Sequence, residues 1–255
     1  MIVCKSPSEI EKMRAANVLV AEVLGQLAAM VVPGVTTQQL DTAAERLVRE
    51  GGAEPAFKGY RGYPATLCAS VNDQVVHGIP SDRPLAEGDI LSLDMGVKLN
   101  GFYGDSAITV PVGRIGEAAQ QLLLVTQEAL QRGIAQVRIG NRVSDIGHAI
   151  QQHVESHGFS VVREFVGHGI GAALHEEPQI ANYGEPGRGP RLAEGMVLAI
   201  EPMVNLGRPA VKVLADGWTA VTRDGSLSAH FEHTVAVTRQ GPLILTARTS
   251  PVAAS

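Results

Sequence analysis

The chain has 255 residues, 45% hydrophobic and 18% charged, which is the balance of a globular protein rather than a disordered one. Its net charge of -5 and its lack of basic runs argue against nucleic-acid specificity. Two cysteines exclude a disulfide framework and a cysteine-based zinc site. Neither a signal peptide pattern nor an apolar run of transmembrane length occurs, so we expect a cytoplasmic protein with no membrane partner.

Two helices are predicted at the start of the chain. The first begins at Ser6, a predicted N-cap that forms a capping box with Glu9, and it ends at residues 32–34, which contain Pro and Gly. The second helix is predicted from about Thr36 to Gly51. Short strands and turns should then fill residues 57–112.

The second half of the chain repeats this order of elements. Helices are predicted at about 116–137 and 143–157, and short strands follow. A shift of 106 residues places one set of glycine and apolar positions on another: Gly34 on Gly140, Leu40 on Ile146, Val48 on Val154 and Gly52 on Gly158. We therefore predict two related halves, about 1–112 and 113–245, and a flexible tail at 246–255.

Helices and strands are grouped along the chain rather than alternating one by one. This order favours the α+β class, with mainly antiparallel strands, over a doubly wound parallel sheet. Two turn dipeptides lie between apolar, strand-like runs and each predicts a hairpin: Asn100-Gly101 and Asp224-Gly225.

The first of these hairpins carries two aspartates. A two-residue turn at Asn100-Gly101 places Asp94 opposite Ala107 and leaves Asp105 two residues along on the same face. Diagonal neighbours in such a pair lie roughly 7–8 Å apart, so the two carboxylates could hold a pair of metal ions. A bulge at Gly104 would change this parity, and the alternative is two aspartates that face solvent.

Three further candidates lie in the second half. His168 stands between glycines, which is typical of a structural histidine but also allows a ligand to approach closely; a phosphate loop is disfavoured because its spacing is absent. Glu201 and Glu232 lie inside apolar runs, where a carboxylate needs a cation or a raised pKa. Four acids with one imidazole suit two divalent ions such as manganese, ferrous iron or cobalt.

Five motifs in this chain occur in one order. They are Val71–Pro80 (VNDQVVHGIP), Gly167–Gly171 (GHGIG), His175–Pro178 (HEEP), Ile200–Val204 (IEPMV) and Phe231–Thr234 (FEHT). From about residue 5 to 240 the sequence resembles the type I methionine aminopeptidases. The resemblance implies a single catalytic domain, 1–255, with the pita-bread fold (the creatinase/aminopeptidase fold), in which helices lie outside a central antiparallel sheet built from two pseudo-symmetric halves.

The resemblance also implies roles for individual residues. The implied metal ligands are Asp94, Asp105, His168, Glu201 and Glu232. His77 and His175 match the two active-site histidines that do not bind metal. Positions around the methionine side chain match Tyr60, Tyr63, Cys68 and Trp218. Phe57 stands where a smaller residue is common, and Leu174 where an aromatic is common, so the volume of the pocket is expected to differ.

The implied reaction is removal of the initiator methionine from nascent polypeptides whose second residue is small and uncharged. Two divalent ions (cobalt, manganese or ferrous iron, with zinc a further candidate) would hold a bridging hydroxide that attacks the first peptide bond. Glu201 would transfer the proton and His175 would stabilise the oxyanion, while His77 would contact the scissile amide nitrogen or orient the intermediate. A monomer is expected, and a transient contact with the ribosome would fit this substrate.

Three alternatives stay open from the sequence. An Xaa-Pro peptidase shares the fold but usually carries an added N-terminal domain. A two-metal phosphoesterase could use similar carboxylates, although no phosphate cradle occurs. A non-catalytic binding relative should have lost metal ligands, and all five are present here.

The remaining histidines are predicted to lie outside the catalytic set. His148, His153 and His157 fall on one predicted helix, and the last two are expected on a solvated face because no H-E-x-x-H pattern occurs. His230 should point to the same side as Glu232, near the site, whereas His233 should point away and pack.

Overall fold

The computed structural model describes residues 1–247. Its four helices are α1 (Pro7–Met30), α2 (Thr37–Glu50), α3 (Glu117–Ala135) and α4 (Val143–Ser156). Its fifteen strands are β1 (Glu54–Pro55), β2 (Cys68–Val71), β3 (Gln74–Val76), β4 (Ile90–Leu99), β5 (Phe102–Pro111), β6 (Ser160–Val161), β7 (Gly167–Gly169), β8 (Glu176–Ile180), β9 (Val197–Ile200), β10 (Met203–Asn205), β11 (Val211–Val213), β12 (Ala220–Thr222), β13 (Ser228–His230), β14 (His233–Thr238) and β15 (Gly241–Ile244).

The starts of α1 and α2 follow from their capping residues, and the predicted capping box at Ser6 is confirmed. The Ser6 side chain accepts from the backbone N–H of Glu9 at 3.3 Å, and the Glu9 carboxylate accepts from Ser6 N at 2.8 Å. Thr36 and Gln39 form the same reciprocal pair at the start of α2. Each box satisfies donors that a helix N-terminus would otherwise leave unpaired.

The internal repeat is visible in the second helix of each half. Both α2 and α4 have 14 residues and start 106 positions apart, at 37 and 143 (143 − 37 = 106). The glycines before them share a left-handed backbone, with φ of 93° at Gly34 and 96° at Gly140. Leu40 and Ile146 are both fully buried. The two helices therefore match in length, in the glycine that precedes them and in the burial of an equivalent apolar residue.

The strands form antiparallel ladders in four sheets. One sheet has the order β1-β4-β2, with β5 also paired to β4, and a five-stranded sheet has the order β15-β14-β9-β7-β8. The other two sheets have three strands each, β13-β10-β6 and β11-β12-β3. Helix α1 packs on β4 and β5, while α3 and α4 pack on each other and on strands of the second half. This architecture confirms the predicted α+β class.

The two predicted hairpins differ in outcome. Asn100 and Gly101 have φ of 53° and 82°, and they join β4 to β5 in a continuous ladder, as predicted. Asp224-Gly225 does form a turn, but the prediction of a hairpin is wrong. The flanking strands separate, because β12 pairs with β3 and β11 whereas β13 pairs with β10.

The end of the described chain is packed. Thr246 is buried, and its hydroxyl accepts from the backbone N–H of Thr234 at 3.1 Å. Most of the predicted tail, 248–255, lies outside the described residues. Within residues 1–247, no helix is both long and apolar enough to cross a lipid bilayer.

A buried carboxylate on α2 holds the loop that precedes β2. Asp41 Oδ1 accepts from the backbone N–H groups of Thr66 and Leu67, each at 2.9 Å. We expect Asp41→Ala to lower the free energy of unfolding by about 2–4 kcal/mol, because two buried donors lose their acceptor. Chemical denaturation measures this loss. Asp41→Asn keeps one acceptor oxygen and should lose less, whereas equal stability of Asp41→Ala and wild type would contradict the account.

Candidate metal centre

The β4–β5 hairpin presents two aspartates on one face. Asp94 pairs with Ala107, and Gly96 pairs with Asp105, in a ladder that continues through Gly104 without a bulge. The predicted parity is therefore confirmed. A Cβ at Gly104 would lie 2.8 Å from the backbone of Ala16, so a glycine is required where α1 crosses the hairpin.

The five-stranded sheet brings the second set of candidate ligands. His168 lies on β7 and pairs with Ala199 of β9. Glu201 directly follows the end of β9. Glu232 precedes β14, and its backbone N–H donates to Ala107 O at 2.9 Å. This backbone bridge helps to join the two sheets and places Glu232 beside the hairpin aspartates.

Side-chain hydroxyls reinforce that junction. Ser106 Oγ donates to Glu232 O at 2.7 Å, and Thr234 Oγ1 donates to Asp105 O at 2.8 Å. Both hydroxyls and both carbonyls are buried, so these bonds are shielded from water. The backbone at Asp105 and Glu232 is thereby fixed.

The ligand atoms of Asp105, His168 and Glu232 lie within 4.8 Å of one another. His168 Nε2 is also 3.6 Å from Glu201 Oε1. On its other side, His168 Nδ1–H donates to Gly169 O at 2.9 Å, and a carbonyl can only accept. This bond leaves the Nε2 lone pair facing the carboxylates, as metal ligation requires.

The side chains of the cluster do not balance the negative charge that its four carboxylates carry when they are ionised. Burial raises the pKa of Asp94 to about 7, and burial followed by neighbouring carboxylates raises the pKa of Asp105, Glu201 and Glu232 well above the usual range. Burial lowers the pKa of His168 to about 4, so it stays neutral. Asp105 Oδ1 is buried and has no hydrogen-bond partner. The oxygen-rich donor set and its charge therefore fit divalent cations.

All of the site residues that the family resemblance implied line one cavity, which has a volume of about 160 Å³. Its lining residues are Phe57, Tyr60, Arg61, Tyr63, Cys68, His77, Asp94, Asp105, His168, Leu174, His175, Glu201, Trp218 and Glu232. The lining combines four acids and three histidines with Arg61 and a set of aromatic or apolar side chains. Such a cavity could bind an apolar side chain next to the polar cluster.

Hydrogen bonds and ring contacts hold the apolar part of the cavity together. The Tyr63 hydroxyl is within donating distance of Gly78 O, at 3.0 Å, and its ring meets Trp218 edge-on at 5.1 Å between centroids. Cys68 is paired with Asp94 in the β2–β4 ladder. Burial raises the pKa of the Cys68 thiol, which therefore stays neutral and lines the pocket as a small apolar group.

Two more histidines face this cavity. His77 has a left-handed backbone with φ of 59°, and burial followed by repulsion from His175 lowers its pKa to about 4. His175 Nδ1 lies 2.9 Å from the hydroxyl of Tyr60, and its ring centroid is 4.2 Å from that of His168. His175 is exposed at the surface, but desolvation by the cavity walls, followed by the charge of Arg61, also lowers its pKa, so both rings are neutral near pH 7.

The histidines near Glu232 lie as expected. His230 is buried, and its Nε2 is 3.7 Å from Glu201 Oε2. His233 Nδ1 is instead 2.8 Å from the Thr246 hydroxyl. The prediction of a solvated face on α4 is wrong for His153, which is buried against α3 with Nε2 3.0 Å from Glu128 Oε2.

Sequence reasoning missed Arg61 at this cavity. Its exposed guanidinium lies 5.4 Å from the Tyr60 ring centroid, over the ring face. Arg61 itself has φ of 51°, and Gly59 and Gly62 on either side have φ of 85° and 91°. The two closely spaced glycines beside the tyrosines were the available signal, since they allow this turn.

Comparisons with known proteins agree with this geometry. The model of metallopeptidase family M24 matches residues 11–239. The chain is 54% identical over 246 residues to methionine aminopeptidase 1 of Bacillus subtilis, covering 96% of this chain and 99% of the relative. The methionine aminopeptidase structure from Thermotoga maritima is similar with a TM-score of 0.96 and 49% identity, over 97% of this chain and 100% of that one.

A second solved structure and a more distant one extend the comparison. Methionine aminopeptidase from Rickettsia prowazekii has a TM-score of 0.96 and 44% identity, covering 97% of this chain and all of that one. The prolidase from Pyrococcus furiosus has a TM-score of 0.80 at 23% identity and is covered over 66% of its length. At that identity only the fold is shared.

Proposed function

The chain belongs to metallopeptidase family M24, and we propose that it is a methionine aminopeptidase that removes the initiator methionine from nascent polypeptides. Relatives with that name are about half identical to this chain over nearly its full length. The observation that carries the proposal is the buried cluster of four carboxylates and His168 within one partly apolar cavity. An Xaa-Pro peptidase or a non-catalytic relative is not favoured.

We propose that two divalent cations bind to Asp94, Asp105, His168, Glu201 and Glu232. Manganese, ferrous iron and cobalt suit the donor set, and zinc is a further candidate. When bound, such ions lower the pKa of a water molecule and stabilise developing negative charge. The polypeptide then has to position the substrate, transfer the proton and exclude other N-terminal residues.

Glu201 is proposed to transfer the proton. The attacking water forms a bond to the first peptide carbonyl carbon and loses a proton to the Glu201 carboxylate. That proton then passes to the amide nitrogen as the carbon–nitrogen bond breaks. Asn182 Nδ2 donates to Glu201 O at 3.0 Å, which supports this role because it holds the backbone that carries the base.

His175 is proposed to stabilise the oxyanion. If the Tyr60 hydroxyl donates to His175 Nδ1, at 2.9 Å, then Nε2 carries the hydrogen and is free to donate to the substrate. A neutral imidazole is suited to this donation. His77 is proposed to contact the scissile amide from the other side of the cavity.

Tyr60, Tyr63, Cys68 and Trp218 are proposed to bind the methionine side chain. An unbranched thioether fits an apolar pocket of this kind. The proposed limit to a small second residue rests on the resemblance to the methionine aminopeptidases. Phe57 and Leu174 also line the cavity, so their effect on inhibitor preference can be measured directly. A cytoplasmic location, a monomeric state and a transient ribosome contact remain predictions.

Tripeptides test the proposed selectivity. Met-Ala-Ser should be cleaved at least about 100-fold faster than Leu-Ala-Ser or Met-Leu-Ser. Leu at the first position replaces an unbranched thioether with a branched side chain, and Leu at the second position is much larger than Ala. Acetyl-Met-Ala-Ser should not be cleaved, since the free amine is required. Release of the free amino acid is measured by chromatography. Equal cleavage of all four peptides would reject the proposed activity.

A further inference from the structure

A lysine near the start of the chain is buried beside the loop that carries His175. Lys5 is 7% exposed; its ammonium group donates to Val3 O at 3.0 Å and forms an ion pair with Glu176. A buried ammonium is costly unless it is paired, and removing one partner leaves an uncompensated charge. The Lys5–Glu176 pair is therefore a specific contact rather than a surface salt bridge.

Glu176 connects this lysine to the loop at 171–176. One carboxylate oxygen, Oε1, accepts from the backbone N–H of Ala173 at 3.1 Å, while Oε2 binds Lys5. Gly171 N also donates to Ala173 O at 3.1 Å. The carboxylate thus closes the turn that presents Leu174 and His175 to the cavity.

The other end of the contact is anchored in the body of the protein. Lys5 N donates to Gly195 O at 2.7 Å, and a Cβ at Gly195 would lie 3.1 Å from Lys5 N. The lysine stem crosses Gly171, where a Cβ would lie 2.9 Å from Nζ. The close backbone approach at Gly195 sets the path of the chain at Lys5, and the absence of a side chain at Gly171 leaves space for the ammonium group.

His175 needs such an anchor because it is exposed, unlike its neighbour Leu174. Tyr60 restrains its ring at one nitrogen, but the direction of the other nitrogen depends on the loop backbone. We propose that the Lys5–Glu176 pair positions His175 for donation to the reacting carbonyl, so the N-terminal segment is part of the active site. This inference rests on the proposed role of His175 and makes Lys5 a positioning residue.

Kinetics of Lys5→Met measure the effect on turnover. We expect kcat for Met-Ala-Ser to fall about 10- to 100-fold with KM within about twofold and metal content unchanged, because a small displacement of a catalytic group has such an effect. Lys12→Met removes an exposed lysine from α1 and should match wild type. Glu176→Gln keeps an acceptor for the backbone N–H of Ala173 but removes the negative charge that pairs with Lys5, so kcat should fall in this variant as well.

A double-mutant cycle separates positioning from general destabilisation. In a His175→Ala background, Lys5→Met should lower kcat by less than about twofold, because the group it positions is already gone. An equal loss in both backgrounds, or wild-type kcat in Lys5→Met, would overturn the inference.

A spectroscopic measurement makes the test independent of activity. In long-range proton–nitrogen spectra of the folded protein, the His175 ring signal is assigned by its absence in His175→Ala. It should shift in Lys5→Met but not in Lys12→Met, and an unchanged signal would overturn the inference. If wild type failed to cleave Met-Ala-Ser while the shift occurred, the proposed function would fail and the positioning contact would stand.

Discussion

Replacing Glu232 with alanine is expected to abolish methionine release. Glu232 is 3% exposed, lies within ligand distance of Asp105 and His168, and is held by its backbone bond to Ala107. Its carboxylate is one of the ligands of the proposed metal centre, beside Asp105 of one sheet and His168 of the other. Without it the cations bind weakly, and we expect a fall in kcat/KM of more than about 1,000-fold, since the water is then no longer activated.

Metal content and activity should be lost together. Elemental analysis of Glu232→Ala should find less bound metal than in wild type, and added manganese should raise the Tm of wild type more than that of the variant. Glu194→Ala removes an exposed glutamate and is the matched control. A folded Glu232→Ala protein with wild-type turnover and metal content would exclude this role.

His175→Ala is expected to lower turnover without removing metal. We expect kcat to fall about 100- to 1,000-fold, the usual effect of deleting one oxyanion donor, with little change in KM. His175 is exposed, and its ring centroid lies 4.2 Å from that of His168, which is itself held by its bond to Gly169 O, so the carboxylates should keep their arrangement.

Two comparisons sharpen the test at His175. Tyr60→Phe removes the hydroxyl beside Nδ1 and should lower kcat less than His175→Ala does, because the ring remains. His157→Ala alters an exposed histidine that directly follows α4 and should match wild type. Loss of metal in parallel with activity in His175→Ala would assign the residue to the metal ligands instead.

Local signals in the sequence predicted the local structure well. The capping residues Ser6 and Thr36 mark the true helix starts, and Asn100-Gly101 determines the register that puts Asp94 and Asp105 on one face. These features depend on neighbours within a few residues. Propensity and periodicity are sufficient there because no distant contact changes the outcome.

Contacts between distant segments were not predictable in this way. The bridge from Ala107 to Glu232 joins segments more than a hundred residues apart, and spacing alone gave no reason for Glu232 to meet Asp105. The family resemblance supplied that expectation. Packing of α4 on α3 buries His153, and divergence of the strands around Asp224-Gly225 prevents a hairpin; neither follows from the local pattern.

The most direct test is release of free methionine from Met-Ala-Ser by the purified chain, in chelator and after addition of manganese, cobalt or ferrous iron. We predict no release in chelator and recovery of activity with at least one of these ions. Release that is equally fast in chelator, with bound metal shown to be absent, would contradict a metal-dependent aminopeptidase. Failure of folded, metal-loaded protein to release methionine would contradict the proposed activity itself.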